Sequence, residues 1–590
     1  MLGVVGGLGI VYWWATYNSR AMKTLRMTSL LSTAVSLMIA LPMGAQNVGM
    51  AMGPAAAAAP AGTGAMATRA QMQERLGTVE FSVSCAAGTQ AYFNRGVALL
   101  HDFWYEEARS QFERIAKGDP GCAMAHWGVA LSAFHQIWGR PDAEAMKFGW
   151  EQMQAAQALP VKTKREKDYM AALADFYRPG SEEFPARVAA YSAAMGRLYA
   201  AYPGDVDAGA FYALSLLAEK DPADTTQVQE QKAMEVLTPL FAKYPDNPGV
   251  VHYIIHSCDN PVMAKEGLKA ADHYGEIAPA GAHAFHMPGH IYARLGMWLQ
   301  DIASQLGSIK ASEEAEARGE SGIMDEPHSY DFLIYAELQS GQDVKARQAL
   351  AASGAVLDTI AGMKGGGAGY MGGMVPYYRV KLAGFYALEM RDWKTAAAME
   401  PVAGTPPGVA TLEYWVRVVG DGHLKEPEKA TADLRKYDAM IAEVRKGKNA
   451  YEAEGTGTKI ERNEMVGWTA YAAGNQTEAL AAMRSAADLQ DKVGQGEVDI
   501  PAREMLGDML LSVGKPKEAL VEYEVALRLS PNRLNGLYGA GRAAEDLGEK
   551  ATAERYYAAL LKSADGGAGS ERPEIAHAKS YVAGMERAGE

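Results

Sequence analysis

The chain has 590 residues, too many for one compact core; at roughly 100–200 residues per domain it holds several domains or one elongated array. A 48% hydrophobic content excludes a chain disordered throughout, and a formal net charge of −14 excludes a dedicated nucleic-acid binder, which needs cationic surface to release counterions. Abundant Ala and Gly with only 9% aromatics suit small-residue helix packing better than a β-sandwich.

Residues 22–45 carry Lys23 and Arg26, an apolar run over 30–41, then Pro42, Gly44 and Ala45. That order predicts a signal peptide, export to the periplasm or the exterior, and a mature chain starting near Gln46. Residues 1–21 are apolar from Leu2 to Trp14, short of the ~20 residues a membrane helix wants. They read as an extension from a mis-assigned start rather than a second membrane segment. Residues 46–75 form an Ala/Gly/Pro/Met-rich linker that cannot build a core, and its methionines read as incidental to a tether rather than as a Cu(I) site. No later stretch is apolar for 18 residues, so no stable membrane span is expected once the leader is removed.

Helical repeats follow. Gly96, Ala108, Phe112 and Pro120 fall at positions 8, 20, 24 and 32 of a 34-residue helix–turn–helix unit. A small residue at 8 meets one at 20 where two antiparallel helices cross, an aromatic at 24 fills the gap, and Pro at 32 stops the second helix. Gly507, Gly514, Ala519, Tyr523, Ala526 and Pro531 repeat the pattern, as do Gly541, Gly548 and Ala553, and Gly467, Gly474, Ala479 and Ala486. Pro203, Pro245 and Pro279 read as position-32 stops. The chain thus resembles tetratricopeptide-repeat (TPR) proteins over most of 88–565, implying an all-α superhelical solenoid. The expected organisation is an N-terminal array over 76–400, an irregular seam over 401–460, C-terminal repeats over 461–565 and a tail over 566–590. The Gly-rich stretch 364–373 reads as a loop between units. Such a fold is a scaffold for many partners and names none.

There are three cysteines and no CxxC. In the resembled fold, Cys85 precedes the first helix and Cys122 opens the first helix of the next repeat, and such helix starts lie close together. The resemblance therefore implies a Cys85–Cys122 disulfide, with Cys258 a buried free thiol. Closing a loop of about 36 residues contributes roughly 3–4 kcal/mol on the chain-entropy model.

Six of the 12 histidines lie between His252 and His290, where even scatter would place about one. His252 and His256 are spaced i, i+4; His283, His286 and His290 are spaced i, i+3, i+7. Each set shares one helical face. The repeat register puts His283, His286 and His290 at positions 2, 5 and 9, His252, His256 and Asp259 at 5, 9 and 12, and His328, Asp331 and Tyr335 at 2, 5 and 9. In the resembled family, these positions line the concave groove. Three readings stay open: polar groups lining a groove or bonding neighbouring backbone, a metal site of two or three imidazoles from His252, His256, His286 and His290 with Asp259 or Asp331 that suits Zn, Cu or Ni, or an anion site of partly protonated imidazoles. His101 could face the same groove but stands alone.

The segment HMPGHIYARLGMW, with HYIIH, FNRGVALLHDFWYEEA and GCAMAHWG, resembles a group of exported bacterial TPR proteins without a settled activity. No GxSxG, HExxH, P-loop or strand-linked GxGxxG occurs, so an enzyme is the weaker expectation. The expected function is an exported scaffold holding a peptide, protein or envelope ligand in its groove. The alternative is a metal carrier or metal-dependent hydrolase using the His252–His328 cluster, with Asp259 or Asp331 as base.

Overall fold

Small residues at fixed spacing set how the helices meet. In the computed structural model, a Cβ added to Gly96 would lie 2.6 Å from Phe112, and one added to Gly507 would lie 2.8 Å from Tyr523. Phe112 also fills the space left by Gly128 of the following hairpin, and Tyr523 that left by Gly539. Each position-24 aromatic therefore wedges between its own first helix and the next one, and only glycine lets the backbones come that near. Ala108, Ala519 and Ala553 are fully buried at the crossings. In the unit of Gly467, Met483 takes the aromatic's place.

The structure describes residues 66–589 apart from 138–139, 181–182, 221–223, 364–368, 403, 448–451 and 566–568. Among them are 25 α-helices and no strand. They run as antiparallel hairpins, from Gln90–His101 with Tyr105–Gly118 to Leu534–Asp546 with Lys550–Ser563, followed by helix Pro573–Gly589. The fold is an all-α array of TPR-type hairpins. The expected stops hold: helices end at Ala201, Lys243 and Ile277, each two residues before Pro203, Pro245 or Pro279. The leader 22–45, the extension 1–21 and most of the linker lie outside the described residues.

Cys85 and Cys122 are joined by a disulfide, and Cys258 is free and buried. Asp119 braces the same corner, accepting from the Ala86 amide at 2.8 Å and the Thr89 hydroxyl at 2.9 Å.

Three boundaries differ from expectation. Residues 66–75 are docked rather than tethered, because the buried Arg95 takes Glu74 as a partner at 2.6 Å and the Met66 carbonyl accepts from Gln111 and Arg114. The stretch 401–460 holds helices Pro407–Leu424 and Pro427–Val444. Pro407 and Pro427 sit at the first positions of these helices, where the missing N–H costs nothing. The tail contains helix Pro573–Gly589, anchored by buried Ile575 and Ala578 and by Arg572 on Asp343 at 2.9 Å.

The array also turns back on itself. The Trp298 indole N–H donates to the Asn532 carbonyl at 2.9 Å. Arg533, fully buried, donates to Glu389 and Glu504, to the Asp499 carbonyl and to the Tyr335 hydroxyl. Lys381 donates to the Val498 carbonyl at 3.0 Å. These bonds lay the connection 494–501, between helices Gln476–Val493 and Ala502–Ser512, across the histidine-bearing helices.

Candidate metal centre

Three successive first helices carry the cluster. Helix Pro248–Cys258 starts from Asn247, whose side chain accepts from the Val250 amide at 3.1 Å, with Pro248 in its first turn. Helix Ala282–Leu295 ends at Gly296, whose φ of +64° gives a left-handed cap. Helix Glu326–Gln339 again opens with a proline, Pro327.

The helices are staggered so that His283, not His286, comes level with His252 and His256. One nitrogen from each of these three rings lies within 4.8 Å of the other two. The His252 and His256 ring centroids are 4.6 Å apart, and those of His252 and His283 are 4.9 Å apart. His286, His290 and His328 form a second triad on the same 4.8 Å criterion. The expected grouping of His252, His256, His286 and His290 is therefore corrected to two triads, both drawing on helix Ala282–Leu295.

In the first triad, the His252 Nδ1–H donates to the His101 carbonyl at 2.5 Å. That fixes the tautomer and leaves Nε2 as a lone pair. The Nε2 atoms of His252 and His256 are buried without a hydrogen-bond partner. Phe103, held at φ +55°, stacks 5.4 Å from His256 and 5.6 Å from His283 and shuts out water on that side. Gly249 permits the approach of His101, since a Cβ there would collide with its ring. His101 itself is no ligand: its nitrogens are taken by the Tyr253 hydroxyl at 2.9 Å and by Asp207 at 3.1 Å.

In the second triad, the His286 Nδ1–H donates to Gln305 Oε1 at 2.8 Å, and Gln305 donates to Asp301 at 2.9 Å. Gly289 is what lets Gln305 in, because a Cβ would strike its amide and come within 2.6 Å of Asp301. His290 Nδ1–H faces Asp259 at 3.0 Å and Glu497 at 2.8 Å. Arg294 also binds Asp259, at 3.0 Å.

Burial sets the charges. Desolvation first, then neighbouring imidazoles, holds His252, His256, His283 and His286 well below the ordinary histidine value, and burial holds His328 down to about 3. These five rings are neutral near pH 7, the form a metal needs. Burial also opposes charge on His290, but Asp259 and Glu497 outweigh it and lift it to about 10. Burial would raise Glu497, yet Arg294 and His290 hold it well below the carboxylate range. Recognition of an anion by protonated imidazoles is thus disfavoured: the one charged ring already has two carboxylates.

Two expected groove residues play other parts. Tyr335 is buried and hydrogen-bonds the Asp499 carbonyl at 3.0 Å, so it anchors the returning connection and faces no groove. Asp331 is buried and belongs to neither triad, and burial lifts it to about 6 against the pull of Lys381. Asp259, by contrast, lines the cleft beside the cluster. The cluster meets a cleft of about 510 Å³ whose wall includes His256, Asp259, Arg294 and Glu497. Sequence reasoning missed Glu497, Gln305 and Phe103. Cys85, Asp119 and Cys122 also lie close enough to hold an ion, but the disulfide consumes both thiols.

No protein-family model matches the sequence, and no curated protein matches it. Among solved structures the chain is similar to the P58(IPK) TPR domain, at 15% identity over 65% of this chain and 98% of that one, with a TM-score of 0.21. It is also similar to Naa15/Naa10 bound to HypK-THB, at 10% identity over 84% and 91%, with a TM-score of 0.23. Likeness at this level carries no argument about a partner or an activity.

Proposed function

We propose that this is a metal-binding protein whose primary centre is His252, His256 and His283. One observation carries the reading: the buried Nε2 atoms of His252, a lone pair, and of His256, both without hydrogen-bond partners, converge with a third imidazole. Left unpaired, each costs about 1–3 kcal/mol, and a bound cation removes that cost. Three neutral imidazoles suit Zn, Cu or Ni, and a three-histidine site keeps a fourth position open. His256 lines the cleft, so that position would face a ligand there. His101 and Phe103 would act as outer groups, one orienting His252 and the other keeping water away. The same cleft supports a second reading, a scaffold holding a peptide or envelope component beside the cluster. The Cys85–Cys122 disulfide supports export to an oxidising compartment, periplasmic or extracellular.

Metal analysis of the full chain purified without a histidine tag tests the reading. Retained stoichiometric metal is expected, with at least one equivalent lost in His256→Ala. Unchanged metal content in that variant would reject the centre.

A further inference from the structure

We infer that a second metal ion binds at His286, His290 and His328, in a site that the connection 494–501 completes. The inference does not depend on the first triad. His286 spends its Nδ1–H on Gln305 Oε1, whose identity as oxygen follows from the Gln305 amide donating to Asp301. His290 spends its Nδ1–H on Asp259 and Glu497. Both remaining Nε2 atoms then point at each other, 2.9 Å apart. Two lone pairs at that distance need a cation between them, either one extra proton on His290 or a metal ion bound by both rings.

His328 decides between the two. Its Nδ1 is buried without a hydrogen-bond partner, and a nitrogen of its ring lies within 4.8 Å of the other two ligand atoms. One proton can bridge the two Nε2 atoms but engages nothing on His328, whereas a divalent ion can take one nitrogen from each of the three rings, with ligand nitrogens about 3.3 Å apart at metal–nitrogen distances of 2.0–2.1 Å. Entry of the ion expels the proton shared by His286 and His290, so each M²⁺ bound at this site releases one H⁺. Phe332 closes the pocket, with its ring centroid 5.0 Å from His286, 4.6 Å from His290 and 5.3 Å from His328.

The outer groups set this site apart from the first. Glu497 arrives from the C-terminal half, 207 residues from His290, and with Asp259 supplies the carboxylate–histidine arrangement that orients a metal-bound imidazole. Arg294 fixes both carboxylates, reaching Asp259 at 3.0 Å and Glu497 at 3.4 Å. Glu497 is here a positioning residue, acting through His290.

The test is a zinc titration of the full, untagged chain after chelator stripping, read by equilibrium dialysis and by protons released into a weak buffer. Two equivalents are expected in the parent. His328→Ala should lose one and His256→Ala the other. Glu497→Gln keeps every ligand, and should weaken one equivalent about 10–100-fold while leaving the other unchanged; it serves if His328→Ala does not fold. A single equivalent in the parent, untouched by His328→Ala and Glu497→Gln, would overturn this site and leave the first standing. A single equivalent lost in His328→Ala but kept in His256→Ala would uphold this site and refute the first. Two equivalents kept in both alanine variants would overturn both.

Discussion

Arg533→Met should be among the most damaging single changes outside the histidines. Arg533 sits fully buried between Glu389 and Glu504, at 2.8 Å from each, and donates to the Asp499 carbonyl at 3.0 Å and to the Tyr335 hydroxyl. Methionine keeps much of the volume but strands two carboxylates in the interior. Removing one partner of a buried ion pair typically costs about 3–5 kcal/mol, because the charge left behind has lost both water and counterion. The loss falls on the bond to Asp499, and so on the connection that delivers Glu497 to His290. A repeat array need not unfold in one step, so the measurement is hydrogen exchange of the amides in 494–501 and 533–537, read as a local opening free energy. A drop of about 3 kcal/mol or more is expected. It should narrow at lower pH, where the stranded carboxylates take up protons; burial already raises Glu504. Adding Glu389→Gln and Glu504→Gln to the variant should restore most of the loss. A drop under about 1 kcal/mol, the size of an exposed pair, would refute the account of this anchor.

Gly289→Ala gains up to about 1 kcal/mol in helix propensity but must displace Gln305, at an overpacking cost of about 1–3 kcal/mol; a net loss in thermal unfolding is expected, together with weaker metal binding through the disturbed His286. Cys85→Ser should destabilise the first two hairpins by about 3–4 kcal/mol under oxidising conditions and leave the reduced parent no more stable than the variant, as denaturant titration would show. The pH dependence of the metal-free chain follows from the imidazoles. His252, His256, His283, His286 and His328 have folded values below the unfolded one near 6.5, so their contribution is present above pH 6.5 and is lost as pH falls toward about 3, the value for His328. His290 is raised to about 10, so its contribution is complete below pH 6.5 and is lost as pH rises through 10. Melting temperatures should therefore fall on both flanks. Zinc affinity of the first triad should hold below pH 6.5 rather than fall there as it would for exposed histidines.

The repeat packing was legible because it is local. Gly96 with Phe112 and Gly507 with Tyr523 are neighbours on adjacent helices, and the 34-residue period repeats their spacing. The cluster was legible for a similar reason: i, i+4 and i, i+3, i+7 spacings put its imidazoles on shared faces. Its division into two triads was not, because it depends on how far two helices slide along each other, and packing sets that slide. Glu497 left no local signal at all. It lies in a connection between helices far along the chain and reaches His290 only because the array folds back. That return also turned Tyr335 from a groove residue into an anchor. The expected irregular seam at 401–460 instead carries two helices, opened by Pro407 and Pro427.

X-ray absorption at the zinc edge, on the full chain loaded with one equivalent after chelator stripping, tests the metal centre most directly. The expected first shell is nitrogen-rich at about 2.0–2.1 Å, with outer-shell scattering from three imidazoles, and in a chain whose second triad is already cut by His328→Ala it should lose one imidazole when His256→Ala is added. A shell of water and carboxylate oxygens without imidazole scattering, or no retained zinc at one equivalent, would contradict the account.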